Sequence, residues 1–217
     1  MPRPSYPTYE EPAIMDTNLL CLIVPIILFV IFGSMITGGV LLLYFMNRSK
    51  TQNTWSEFAG KNGLSYMPPG FLETGYGTVT GSYQGRAVSF FTRSNNRVTW
   101  TYISFKVNNP QGIVLYLAAK GVEGDIAKTL LGTQDISIGI PDFDRKFIIQ
   151  SNPVDLASRV LIGNAELRAE IMAIAPWELQ FKDQYATCRI LGPKQEIATL
   201  EKLFRFTNNF AEAIEKS

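Results

Sequence analysis

The chain has 217 residues, which fits one domain or one domain with an anchor. Its 20 basic and 19 acidic residues nearly cancel, and that argues against nucleic-acid binding through bulk positive charge. It has no histidine, the commonest general base and metal ligand, and its two cysteines, Cys21 and Cys188, are too few and too distant for a disulfide framework.

Residues 1–18, MPRPSYPTYEEPAIMDTN, hold four prolines and an acidic excess of Glu10, Glu11 and Asp16 over Arg3. Such a segment forms no core alone and is expected to be extended. Residues 19–46 are apolar or small throughout, with no charge before Arg48. A bilayer core needs about 20 helical residues, whereas a cleavable export signal has a basic flank and an apolar stretch of roughly 7–15 residues. A transmembrane helix is the expectation. Arg48, Lys50 and Lys61 follow it and only Arg3 precedes it, so the positive-inside rule puts the amino terminus outside and the carboxyl-terminal part in the cytoplasm, on a plasma or inner membrane. Pro25 removes the hydrogen bond to the Cys21 carbonyl, and a mild kink is expected there. Gly33, Ser34, Thr37, Gly38 and Gly39 form small-xxx-small pairs that allow another helix to approach, so they are the candidate helix–helix docking residues.

A linker is expected over residues 47–54, then a domain over residues 55–217. Thr54-Trp55-Ser56-Glu57 has the capping-box pattern and opens a short helix ended by Gly63. A β-rich run follows, punctuated by Gln84-Gly85, Asn95-Asn96 and Asn108-Asn109-Pro110, which reads as an antiparallel meander of four strands. Within it Val98, Trp100 and Tyr102 share one parity while Ile103, Phe105 and Val107 take the other, so a bulge or a change of face is expected. Asp125–Leu131 reads as a helical turn or two, and residues 145–150 as a strand. Asn152-Pro153 is expected to cap a helix ending near Gly163. Asn164 starts the next, with Leu167, Ile171 and Ile174 on one face. Trp177, Leu179 and Phe181 alternate as a strand that turns at Asp183-Gln184 into a partner ending near Leu191. Gly192-Pro193 opens a last, amphipathic helix with the stripe Ile197, Leu200, Phe204, Ala211 and Ile214. The fold class is α+β: one amino-terminal transmembrane helix, then a mainly antiparallel sheet with covering helices. Seven strands and a closing helix would also suit a pleckstrin-like barrel.

Motifs for chemistry are sparse. Gly75-x-Gly77 precedes a strand rather than a helix, so it reads as a turn and not as a phosphate loop. Asp142 and Asp144, with Asp135 upstream, could hold a hard cation but lack the further ligands of a calcium loop; a turn in which Asp144 caps the chain or pairs with Arg145 or Lys146 is the simpler reading. Ser89, Ser104 and Cys188 have no histidine to activate them. Arg86, Arg93, Arg97 and Lys106 fall on neighbouring strands, either as a basic patch facing lipid headgroups or a partner, or as the charges that keep a sheet edge from aggregating. No catalytic, cofactor-binding or metal residue is assigned, and no cofactor is expected.

The pattern Trp55-x-x-Phe58-Ala59 with Gly63-Leu64, then VTGSYQGRAV, then FDRKF before a Pro-led helix, resembles bacterial membrane-anchored proteins of unknown function over most of residues 55–205. The layout of one span and a cytoplasmic β-rich domain is similar to the H subunit of purple-bacterial photosynthetic reaction centres. The small-residue face of the span and the absence of histidine lead to the expectation of a non-catalytic, single-pass accessory subunit that docks on and stabilises a larger membrane complex, with a respiratory or photosynthetic complex as the natural setting. Its expected partners are integral membrane subunits and the bilayer, and not nucleic acid. The alternative is a free-standing tethered module that binds lipid headgroups or a peptide.

Overall fold

The computed structural model describes residues 17–70, 73, 75–95, 98–121 and 135–217. The expected tail over residues 1–16, the turn residue Asn96, Arg97 and the expected helical turn Asp125–Leu131 lie outside them. Two compact units form, residues 1–47 and residues 48–217.

Helix α1 runs from Thr17 to Lys61 with Pro25 inside it. Residues 47–54, expected as a linker, are helical. Their polar composition masks the reason: Thr51, Trp55, Phe58 and Ala59 recur at helical spacing and are all buried. The last turns of α1 are thus part of the domain core rather than a tether. Thr54 is not an N-cap; its hydroxyl donates to the Lys50 carbonyl at 3.0 Å, as mid-helix threonines do.

The domain is built on an eight-stranded, wholly antiparallel sheet in the order β1-β2-β3-β4-β8-β7-β5-β6. The strands are β1 (Ser65–Met67), β2 (Thr78–Tyr83), β3 (Arg86–Asn95), β4 (Val98–Lys106), β5 (Val114–Ala119), β6 (Phe147–Asn152), β7 (Glu178–Lys182) and β8 (Tyr185–Leu191). The order ends at β1 and β6, so the sheet is an open one and not the pleckstrin-like barrel. The α+β expectation holds.

The first three strands meander as expected, but the fourth member of the run does not. β4 pairs with β8, and β5 lies between β7 and β6. The β7–β8 hairpin is inserted where the meander would have continued. Its turn is held by the loop after β4: Val107 N–H donates to the Gln184 carbonyl at 2.8 Å, and the Asn109 amide donates to the Asp183 carbonyl at 2.7 Å. Nothing local in the sequence announces a pairing across some eighty intervening residues. The parity slip in β4 is not a bulge either. Register runs residue for residue from Val98 to Phe105 against β3. Trp100 is instead buried on the outer face, while Ile103 and Phe105 are buried on the inner one.

The inner face carries the core. Val79, Val88, Phe90, Ile103, Phe105, Leu115, Leu117, Leu179, Phe181, Cys188 and Ile190 point there and are buried. Against them pack the end of α1 and helix α5 (Ile197–Glu215). Trp55 meets Phe90 edge-on at 4.3 Å, and Phe204 of α5 lies 5.1 Å from Phe105 and 5.4 Å from Phe58. Smaller helices complete the cover: α2 (Pro141–Lys146), α3 (Asp155–Ala157) running into a π-turn over Ser158–Ile162, and α4 (Ala165–Ile174). Asn164 caps α4 as expected, accepting from Leu167 N–H at 2.9 Å. Asn152 does not cap α3: its N-cap position is Val154, which makes no side-chain cap bond, and the Ala157 N–H is taken by the Ser151 hydroxyl of β6 at 3.3 Å.

Candidate functional site

In the first unit the candidate docking residues lie on an open helix surface. No residue described between Pro25 and Asn47 is buried, and the apolar part has a mean hydropathy of 2.6 over an 18-residue window. The hydroxyls of Ser34 and Thr37 are satisfied within the helix, donating to the Ile31 and Gly33 carbonyls at 2.8 Å each. They therefore need no partner to enter lipid. A methyl group added at Gly33, Gly38 or Gly39 would meet nothing within 4 Å. At about 100° per residue, Gly33, Thr37, Ser34 and Gly38 share an arc of about 140°, and Gly39 stands about 100° beyond it. The five small residues are therefore a four-residue seam plus one outlier.

In the second unit the groups with the most chemistry sit on the outer face of the sheet, on residues that sequence reasoning did not single out as a site. Glu178 on β7 is buried, and its carboxylate accepts from Arg189 Nη1 on β8 at 2.9 Å. The Arg189 guanidinium lies 4.3 Å from the centre of the Trp100 ring and 5.8 Å from that of Tyr102. Tyr102 stacks on Phe91, and Trp177 leans on Trp100 at 4.6 Å. Burial pushes the Glu178 carboxyl above the ordinary range and outweighs the pull of Arg189 in the other direction. Burial, reinforced by the Glu178 charge, pushes the Tyr116 phenol up to about 12 against a smaller opposing effect of Arg189. Nε of Arg189 and Oε1 of Gln150 are buried without a hydrogen-bond partner. A signal for the pair did exist: around the two-residue turn Asp183-Gln184, strand partners are equidistant from the turn, which sets Glu178 opposite Arg189.

Among the described residues the expected basic patch does not assemble. Arg86 is committed to α5: it is ion-paired with Glu215 and donates to the Asn208 amide oxygen at 3.0 Å. Arg93 is exposed near the end of β3, beside Trp100, whereas Lys106 is exposed at the opposite end of β4, beside Tyr185. Arg97 lies outside the described residues.

The acidic turn resolves as a cap. Asp144 accepts from the Ser137 hydroxyl at 2.8 Å and from the Ile138 and Ile140 N–H groups at 3.1 Å. Burial raises its carboxyl, but these hydrogen bonds together outweigh that and hold it below the usual range. Asp142 pairs with Arg145, and Asp135 accepts from the Gln150 amide at 3.0 Å. Among the described residues, no three acidic or cysteine side chains converge as a metal site. Ser104 is hydrogen-bonded to Thr187 at 2.9 Å, and Cys188 is fully buried. Gly77 makes the expected turn with φ of 94°.

No family model matches the chain. No curated protein matches it. Among solved structures it is similar to the crystal structure of the mycobacterial trehalose monomycolate transport factor A, TtfA, at 14% identity with a TM-score of 0.57, over 76% of this chain and 94% of that one. At that identity the likeness speaks for the fold alone.

Proposed function

We propose that this chain is a non-catalytic, single-pass accessory factor that docks on a larger membrane protein through the seam Gly33, Ser34, Thr37 and Gly38 and holds its α+β domain on the cytoplasmic side. One observation carries the reading: the described residues of the apolar stretch of α1 from Pro25 to Asn47 are exposed, yet it presents small residues whose polar groups are already satisfied. Such a surface suits lipid on most sides and a close helix on one. The orientation rests on Arg48, Lys50 and Lys61 after the span. The non-catalytic part rests on the absence of histidine and on acidic side chains that are occupied in capping and pairing. The fold neighbour, named as a transport factor, favours a transport assembly over the respiratory or photosynthetic setting that the layout implies.

The test is affinity purification of the full chain in mild detergent. Gly38→Leu fills the seam and is expected to release the partner. Gly39→Leu, the same change off the arc, is expected to retain it. Loss with both variants, or with neither, would refute docking through this seam. A lone monomer in the wild-type eluate would favour the free-standing module instead.

A further inference from the structure

The end of the domain that meets residue 48 is a single hydrogen-bonded rim. Arg48 donates to the Glu73 carbonyl at 3.2 Å. The Thr54 hydroxyl shares its one proton between the Lys50 carbonyl and the Gln195 carbonyl, 3.2 Å away, and the Trp55 indole donates to the Lys194 carbonyl at 2.9 Å. Gly192 N–H bonds the Thr99 carbonyl at 2.8 Å, Thr101 returns a bond to the Gly192 carbonyl at 2.7 Å, and Tyr76 N–H bonds the Thr92 hydroxyl at 3.2 Å. Glu73, Tyr76, the end of β3, the start of β4 and residues 191–195 are thereby fixed around the first turns of α1 that belong to the domain.

Those turns, residues 48–55, occupy about 10 Å of helix and begin one peptide bond after Asn47. The polar headgroup layers extend some 5–7 Å beyond the hydrocarbon core, and the Debye length is about 10 Å at 0.1 M salt. Charges close to residue 48 are thus within reach of headgroup charge, and the hydrogen bonds of the rim tie the other members to these turns. Lys106, eight residues along β4 from Val98, lies about 26 Å further along the strand.

The composition of the rim matches its position. Leu191 is 53% exposed and Val98 37%, two large apolar side chains on the same rim. Lys50 and Arg93 are exposed, and Lys194 is half-buried, its ammonium donating to the Leu191 carbonyl at 2.8 Å. With Arg48 these are, among the described residues, four cations against the carboxylates of Glu73 and Glu196. Glu73 is turned back onto the Gly70 N–H and Glu196 onto the Thr199 hydroxyl.

We propose that this rim seats on the leaflet in which α1 ends, with Val98 and Leu191 at the interface and Arg93 and Lys194 on anionic phospholipid headgroups. The proposal rests on the membrane-anchor reading of α1 and not on the docking of any partner.

The experiment uses the full chain with Cys21→Ser, reconstituted alone in nanodiscs. It carries a bimane at Leu191→Cys, at Val98→Cys or, for comparison, at Lys106→Cys; Cys188 is buried and will not label. A headgroup nitroxide lipid quenches dyes near the interface. Expected is quenching at 191 and at 98 about twofold or more above that at 106 in discs of one part phosphatidylglycerol to two parts phosphatidylcholine. It should fall toward the 106 level in molar salt or with Arg93→Glu/Lys194→Glu. Equal quenching at all three positions overturns the proposal. So does quenching at 191 and 98 that is unchanged in pure phosphatidylcholine. The discs contain no partner, so either failure leaves the co-purification test untouched.

Discussion

Nη1 of Arg189 donates to the Glu178 carboxylate at 2.9 Å across the β7–β8 hairpin, and the two side chains are unequally buried, 18% and 4% exposed respectively. The inequality decides what each contributes. Glu178 has little water to turn to, whereas Arg189 also has the face of Trp100 beneath it.

Removing the arginine is therefore expected to cost more than removing the carboxylate's charge. Arg189→Ala leaves a buried carboxylate unpaired, a change that costs about 3–5 kcal/mol. Glu178→Gln keeps the shape and leaves the arginine on the tryptophan, and is expected to cost less than about 1 kcal/mol. Urea unfolding of the two variants at pH 7 gives the comparison; equal losses would contradict the asymmetry.

The pH dependence follows from the raised Glu178 carboxyl. A group whose folded-state pKa lies above its unfolded value of 4.5 contributes its stability fully below that value and loses it as pH rises through the folded one. Stability is thus expected to decline from about pH 4.5 upward, apart from other groups, and Glu178→Gln is expected to flatten that slope. In Arg189→Ala the carboxyl rises further, so the deficit of that variant should be larger at pH 8 than at pH 5. A deficit independent of pH would show that lost packing on Trp100, and not charge, is responsible.

Two glycines make opposite predictions. Gly77 sits at φ of 94°, and a Cβ there would come within 2.4 Å of the Met67 carbonyl oxygen and 2.8 Å of the Tyr66 ring. Gly77→Ala must disturb the β1–β2 pairing and is expected to cost about 2 kcal/mol or more. Gly60 lies in the last turn of α1 with nothing within 4 Å of such a methyl, so Gly60→Ala is expected to stabilise by roughly 0.5–1 kcal/mol. Thermal unfolding measures both, and a stabilising Gly77→Ala would mean that the turn is not built as described.

How much of this was legible depended on range. Local chemistry was readable: Gln84-Gly85 does join β2 to β3, with both residues at positive φ, and Asn164 does cap α4. The apolar stretch was plain from hydropathy alone. Illegible were the facts decided by distant contact. Residues 47–54 look like a linker because Arg48, Lys50 and Asn53 are polar, and only their packing shows that Thr51 is buried. Four basic residues on adjacent strands looked like one patch, but strand length separates Lys106 from Arg93, and α5 takes Arg86. The Glu178–Arg189 pair could have been read from hairpin register, yet its burial on the outer face could not.

The packing of α1 into the core also fixes where the domain begins. Trp55 and Phe58 are fully buried, and each such side chain contributes about 1.5–3 kcal/mol by burial. Trp55 adds the hydrogen bond to Lys194. Together these are a large part of the roughly 5–15 kcal/mol by which a domain of ordinary size is stable. A chain beginning at residue 48 is therefore expected to be soluble, to unfold cooperatively and to show dispersed amide resonances. One beginning at residue 62 is expected to aggregate or stay unfolded, because Phe90 and Phe204 lose the rings that cover them. Cys188 supplies an independent readout. It is fully buried on the inner face and burial pushes its thiol up to about 12, so in the longer chain it should resist thiol reagents at pH 8 until denaturant is added. Rapid labelling of Cys188 in the native longer chain, or cooperative folding of the shorter one, would show that the end of α1 is a tether after all.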